Sequence, residues 1–191
     1  MNLRHLTCAG LLFGAGITAL AAPASVTLRE TTAKGSAAKS FVATTAIDAA
    51  VPKLCALLQD YADYPNFMPN TASVKVAQAG SGNQVIDVTL NLPMGKVKKY
   101  RLKMSPASSA DSCTLAWKLV PWPGLKQEET IADTTGSWQL ASAGPGKSAV
   151  TYTVSTDPGP VPFGLGWIVD SLSKDSIPQT LEGLRKRAAT P

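Results

Sequence analysis

A single histidine, His5, serves all 191 residues, and it lies among the first few. Imidazole is the usual group for acid–base work near neutral pH and a standard ligand of catalytic zinc. Its lack in the rest of the chain excludes a histidine metal cluster and leaves any nucleophilic triad without its customary base. Cysteine is also scarce, three in all, with no CxxC and no metal-holding spacing. Charged residues make up only 16% of the chain and form no dense Lys/Arg cluster. The basic stripe of a nucleic-acid-binding module is therefore missing, and no nucleic-acid partner is expected. The one long apolar run, within LTCAGLLFGAGITAL, falls short of the ~20 residues that a membrane-spanning helix needs.

What is present begins with a processing signal. MNLRH supplies a positive start, the apolar run follows, and Ala19-Leu20-Ala21 gives a small-x-small cleavage site, so residues 1–21 read as a secretory signal peptide cleaved near Ala21. Cys8 does not make a lipobox, because His5-Leu6-Thr7 lacks the small residue needed before it and no apolar region precedes it. The expected location is periplasmic, or secreted. What remains suffices for one self-supporting domain with a mildly basic surface. Such a surface suits anionic lipid, although solvated lysines explain it as well. Cys55, in an apolar helical stripe, and Cys113, on an apolar strand face, are then either two buried small hydrophobes or a disulfide; spacing alone does not decide.

Residues 22–39 are small and polar and read as a loosely ordered leader with one short extended piece at Val26 to Arg29. Alternation through Phe41, Ala43 and Thr45 predicts a strand. Asp48 is the expected N-cap of a helix over AAVPKLCALLQDYADY, with Val51, Leu54, Cys55 and Leu58 on its apolar side and Pro52 tolerable in the first turn. Pro65 and Pro69 bracket a short helix or turn carrying Phe67 and Met68. The period then changes to two. Strands are expected at Val74 to Ala77, through Ile86, Val88, Leu90 and Leu92, through Tyr100, Leu102 and Met104, through Cys113, Leu115, Trp117 and Leu119, from Gln127 to Leu140 with an interruption, and through Val150, Tyr152 and Val154. A long helix closes the chain from about Phe163 to Arg187, bent at Pro178.

The fold class predicted is α+β: strand, two short helices, six meandering antiparallel strands, then a helix as the only element left to cover the dry face of the sheet. This order, with TGSWQL, AVTYTVSTDPGPVPFGLGW and SIPQTLEGLRKR, resembles the START-like superfamily, also called SRPBCC or helix-grip, and in particular its bacterial polyketide-cyclase and coenzyme-Q-binding branch. DYADYPNFMP is similar to that family's segment after the first helix, and DPG followed by proline to its join between last strand and long helix. One departure is Pro160 directly after Gly159, where a second glycine is frequent. The resemblance covers residues 40–188. It implies a seven-stranded curved sheet wrapped around the C-terminal helix, with an elongated cavity between them.

The cavity implied in this way is lined by Phe67, Met68, Val88, Leu90, Leu92, Tyr100, Leu102, Trp117, Trp138, Tyr152, Val154, Phe163, Trp167, Ile168 and Leu172. Each also serves as ordinary core. Pro158 and Gly159 fix the approach of the last helix so that Phe163 and Trp167 close one end, and Trp122 of VPWPG stands near the same mouth as a gate or membrane-touching tip, or is simply buried. Tyr100 and Tyr152 are candidate hydrogen-bond donors to a ligand oxygen.

Three functions follow. A monomeric, non-catalytic carrier would hold a quinone, sterol or hopanoid, acyl lipid or polyketide-like molecule, with transient membrane contact and neither cofactor nor metal. A cyclase or aromatase would need a buried acid, whereas Glu128, Glu129 and Asp133 fall in a polar stretch. An envelope accessory protein would have its hollow filled by side chains.

Overall fold

The computed structural model describes residues 24–80, 82–160 and 166–190, without the side chains of residues 166–170. β1 (Thr27–Glu30) and β2 (Lys39–Ile47) lead into α1 (Val51–Gln59), a 3-10 turn (Tyr61–Asp63) and α2 (Tyr64–Phe67). β3 (Thr71–Ala79), β4 (Gln84–Leu92), β5 (Lys96–Ser108), β6 (Ser112–Val120), β7 (Asp133–Ser142) and β8 (Ser148–Asp157) follow, and α3 (Gly166–Ala189) ends the chain. All strands join one antiparallel sheet in the order β1-β2-β8-β7-β6-β5-β4-β3.

The sheet has eight strands, not the seven expected. The additional one is β1, drawn from the segment read as a loose leader: Thr27 pairs with Thr44 and Glu30 with Phe41. The short extended piece expected at Val26 to Arg29 is this strand; with three of its four residues exposed, it has no apolar alternation to mark it as a member of the sheet. Arg185 of α3 secures its lead-in by donating to the carbonyl of Ala24 at 2.7 Å and to the Thr45 hydroxyl at 2.6 Å.

Two local expectations also change. Asp48 does not cap α1; the N-cap is Ala50, without a side-chain hydrogen bond, and Asp48 pairs instead with Lys147 at 3.1 Å. The expected strand segment Gln127–Ala132 is a 3-10 turn at Gln127–Glu129 followed by loop, held against β5 by Lys98, which donates to the carbonyls of Glu128 (3.0 Å) and Thr130 (2.6 Å). β7 begins only at Asp133.

The core forms where the inward sides of the strands meet the helices. Val51, Leu54, Cys55 and Leu58 bury one side of α1, with Pro52 in the first turn as its sequence position requires. The structure joins Cys55 to Cys113 by a disulfide, Cα atoms 6.0 Å apart, which staples α1 to β6. Tyr61, Tyr64 and Phe67 form an edge-to-face series with centroids 5.5 and 5.4 Å apart, and the Tyr64 hydroxyl donates to the Leu58 carbonyl at 2.5 Å.

The long helix has two distinct halves. Ile177, Leu181, Leu184 and Ala188, spaced at three and four residues, are buried. Burying side chains the size of Leu181 and Leu184 contributes roughly 1.5–3 kcal/mol each. Here α3 runs hard against α2: a Cβ on Gly183 would lie 2.1 Å from the Phe67 carbonyl oxygen, so only glycine permits the approach. Asp63 accepts from Arg187 at 2.6 Å and closes the same contact. The helix continues through Pro178, and its preceding turns stand off from the sheet. Among the described residues no helix is long and apolar enough to cross a membrane.

Candidate functional site: an internal cavity

Between the inward side of the sheet and the first half of α3 lies a cavity of about 310 Å³. Its wall is built by strand periodicity. Val88 and Leu90 of β4, Tyr100 and Leu102 of β5, Trp117 of β6, Trp138 of β7 and Tyr152 and Val154 of β8 sit two residues apart on their strands and therefore share one side. Met68 and Leu92 join them from the α2 and β4 ends, Pro158 from the join after β8, and Leu172 from the helix. Eleven of these were expected in the wall, and Pro158 at the entry of the last helix.

Other expected residues fall elsewhere. The Phe67 ring is buried against Tyr64, and the residue borders an outer groove of about 720 Å³ between α2 and α3, a wide surface furrow with Asn66, Asn70, Gln179, Glu182 and Lys186 on its rim. Trp122 also lies outside the cavity. It is half-buried in a separate groove of about 230 Å³, with the Arg101 guanidinium 5.1 Å from its ring centroid. Arg101 is in turn held by Asp87, directly opposite it on β4, through bonds of 2.6 and 2.9 Å. Ile131 lines both this groove and the cavity. Gly159 does not line the cavity; its N–H donates to the Asp157 carboxylate at 2.9 Å. Phe163 lies outside the described residues, as do the side chains of Trp167 and Ile168.

The sequence reading missed a polar set in the wall. Thr134 and Thr156, cross-strand partners whose hydroxyls lie 2.9 Å apart, continue the inward phase of Gly136–Trp138 and of Tyr152–Val154. Ser173, Ser176 and Thr180 follow the helical spacing beside Leu172 and Ile177. Both signals were present as small hydroxyl residues in phase with apolar ones. Lys39, opposite Thr156 on β2, also reaches the wall and pairs with Glu30 at 3.8 Å. The Glu30 carboxyl is held below its usual range, chiefly by a hydrogen bond from Thr32; desolvation opposes this, and Lys174 and Lys39 lower it further.

Aromatic packing fixes the middle of the wall. Trp117 stacks on Tyr152 with centroids 5.6 Å and planes 29° apart, and Trp138 meets the same ring at 4.5 Å. Burial pushes the ionisation of Tyr100 and Tyr152 well above the ordinary phenol range, and the nearness of Tyr100 adds to the effect on Tyr152. Among the described lining residues there is no Asp, Glu, His or Arg. Neither side-chain set that would hold a metal nor a nucleophile with its base is assembled there.

No family model and no curated protein sequence matches the chain. Solved structures do. A STAR-related lipid transfer protein from Xanthomonas axonopodis superposes with a TM-score of 0.74 at 20% identity, covering 86% of this chain and 93% of that one. Human STARD10 gives 0.73 at 16% identity, with 88% and 71% covered. The Zhui aromatase/cyclase from Streptomyces gives 0.65 at 12%, with 79% and 93% covered. An antiparallel sheet with a C-terminal helix, superposing on these structures over most of each chain, gives this protein the START-like (SRPBCC, helix-grip) fold.

Proposed function

We propose that the chain is a carrier for one hydrophobic small molecule or lipid, held in the cavity between the sheet and α3 and moved through an aqueous compartment. The observation that carries this reading is the cavity itself. It is a preformed hollow of about 310 Å³, walled mostly by Val, Leu, Ile and aromatic side chains, in a fold where those groups could have met one another. Transfer of apolar surface from water into such a space gains roughly 25 cal/mol per Å², and a mostly apolar wall with few polar groups is the common design of small-molecule sites. The wall's lack of a carboxylate or imidazole among the described residues favours carriage over cyclase chemistry.

The compartment we propose is periplasmic or extracellular, after cleavage near Ala21. The Cys55–Cys113 bridge supports it, since disulfides persist where the environment is oxidising. Acting as a monomer, the carrier exchanges its cargo by transient contact with a membrane. The β4–β5 turn fits that contact: Met94 and Val97 are 65% and 45% exposed beside Lys96 and Lys99, a pairing of apolar tip and cations suited to anionic lipid.

Native mass spectrometry of protein purified from its own host tests the reading. An apolar molecule co-purifying at about one per chain is expected. Protein that is ligand-free from its host and takes up no apolar probe would overturn it in favour of an accessory role.

A further inference from the structure

The strand registers gather lysines that are apart in sequence onto one side of the sheet. Lys99, Arg101 and Lys103 of β5 alternate with the cavity residues Tyr100 and Leu102, so they stand on the outer side. Lys75 of β3 faces Asp87 of β4 in the ladder, Asp87 faces Arg101, and Lys118 of β6 lies directly opposite Lys103. Asp87 is the only acidic residue in the sequences of β3 to β6, and its carboxylate is taken by Arg101 at 2.6 and 2.9 Å.

The remaining lysines are therefore a surplus of one sign. Like charges directly opposite each other destabilise a sheet, and neither Lys103 nor Lys118 has an acid on its own strand to offset the repulsion. Such a pair weakens the isolated fold and suits an anion at the surface.

The turn between β4 and β5 adds apolar groups at the end of the same row. Val97, two residues from Lys99 and in its phase, is 45% exposed, and Met94 is 65% exposed. Met94 also takes a φ of 60°, a left-handed conformation that Asn or Gly adopts more readily than methionine. Turn formation alone does not favour methionine there; contact with something apolar does.

Charge and apolarity together decide the partner. A nucleic acid or an acidic protein would engage the lysines and leave Met94 and Val97 in water. A bilayer uses both, with anionic headgroups at the lysines and the two apolar side chains below them, and each Lys near such a surface contributes about fivefold in binding. The row from Val97 to Lys103 runs about 20 Å by strand rise. Leu92, a cavity residue, ends β4 beside the turn, so this docking brings that end of the cavity to the lipid.

We infer that the outer side of β3 to β6, from Met94 and Val97 to Lys75, Lys103 and Lys118, is a docking surface for a bilayer containing anionic phospholipid. The inference rests on the carrier reading, whose membrane contact it extends from the turn to a side of the sheet and whose lipid it specifies by charge.

Co-sedimentation of the full chain with vesicles tests it. Vesicles of phosphatidylcholine and phosphatidylglycerol in equal parts should bind roughly tenfold or more tightly than phosphatidylcholine alone, and raised salt should remove the difference. Lys103→Gln/Lys118→Gln should weaken binding to the mixed vesicles roughly tenfold to thirtyfold without lowering the melting temperature, whereas Lys103→Arg/Lys118→Arg should retain it. Met94→Asn should weaken it too. Uptake of the apolar probe N-phenylnaphthylamine should be the same in the lysine variants as in wild type. Equal binding to the two kinds of vesicle, or full binding by the glutamine variant, would overturn the docking surface and leave the carrier standing where the probe is taken up. Tighter binding to a short oligonucleotide than to the mixed vesicles would overturn it as well, and would assign the lysines to nucleic acid. Charge-dependent docking in a protein that takes up no probe would overturn the carrier instead.

Discussion

The indole of Trp117 occupies the space where a side chain on Gly136 would begin. The two residues face each other across the β6–β7 ladder, and a Cβ at Gly136 would lie 2.2 Å from the indole Cζ2 and 2.3 Å from the Thr153 carbonyl oxygen. The missing side chain is thus what lets a large ring lie flat on Tyr152 as part of the cavity wall. Gly136→Ala should destabilise the protein by about 1–3 kcal/mol through overpacking and push the indole into the ligand space. Thermal unfolding should record the first effect, and a weakened apolar probe the second. Adding Trp117→Leu should recover only part of the stability, because the clash with the Thr153 carbonyl is with backbone and remains. Wild-type stability in Gly136→Ala would show that the wall is softer than these distances imply.

The disulfide closes a long loop between helix and sheet. Cys55 and Cys113 are 58 residues apart in sequence, and neither lines the cavity. The bridge constrains the unfolded chain more than it shapes the site, and removal of such a link costs about 2–4 kcal/mol. Cys55→Ala/Cys113→Ala should lower the urea midpoint accordingly with little change in the affinity for an apolar probe. A matching fall in wild type under reducing conditions would assign the loss to the bond and not to the side chains.

Where the chain alternates regularly, both fold and site were legible before the structure. Val88 and Leu90, Tyr100 and Leu102, and Tyr152 and Val154 share a side because strand geometry leaves no choice. Legibility failed where the deciding contact is long-range. Phe67 sits in a four-residue helix too short to show a period, and its place is set by Gly183 and Arg187 arriving from α3. Trp122 stayed open between gate and burial because nothing near it in sequence marks Arg101 as its partner. Asp48 has the chemistry of an N-cap, but the strand end at Ile47 and the buried Ser148 hydroxyl, donating to the Ala49 carbonyl at 2.7 Å, start the helix two residues later.

Alkaline pH provides a test of how the tyrosines are buried. All four tyrosines of the chain, Tyr61, Tyr64, Tyr100 and Tyr152, ionise above the ordinary range, with burial the leading cause in each. A phenol in the unfolded chain loses its proton near pH 10. With the folded pKa raised above that, the contribution to stability is complete below about pH 10 and declines as pH rises beyond it. The melting temperature should therefore hold up to about pH 10 and then drop, with phenolate absorbance appearing only together with unfolding. Tyr100→Phe/Tyr152→Phe should show a shallower alkaline decline than wild type. Phenolate appearing in folded protein near pH 10 would mean that the cavity admits bulk water.

Trp122 does not line the cavity, but its groove shares one residue, Ile131, with the cavity wall. Its ring rests on Arg101, which Asp87 fixes to the outer side of the sheet. Lys98 holds the far part of the same loop through the carbonyls of Glu128 and Thr130. Trp122→Ala removes one of two anchors and should cost about 0.5–1 kcal/mol for the lost cation–π contact, or about 1–4 °C in melting temperature for a chain of this size. With the loop freed, Ile131 no longer defines the wall on that side, so an apolar probe should dissociate faster while associating at a similar rate. Arg101→Lys should behave in the same way, since lysine provides neither the planar stack nor the two-pronged grip on Asp87. Outright unfolding of Trp122→Ala would identify the ring as core, and unchanged dissociation in both variants would confine its role to the surface groove.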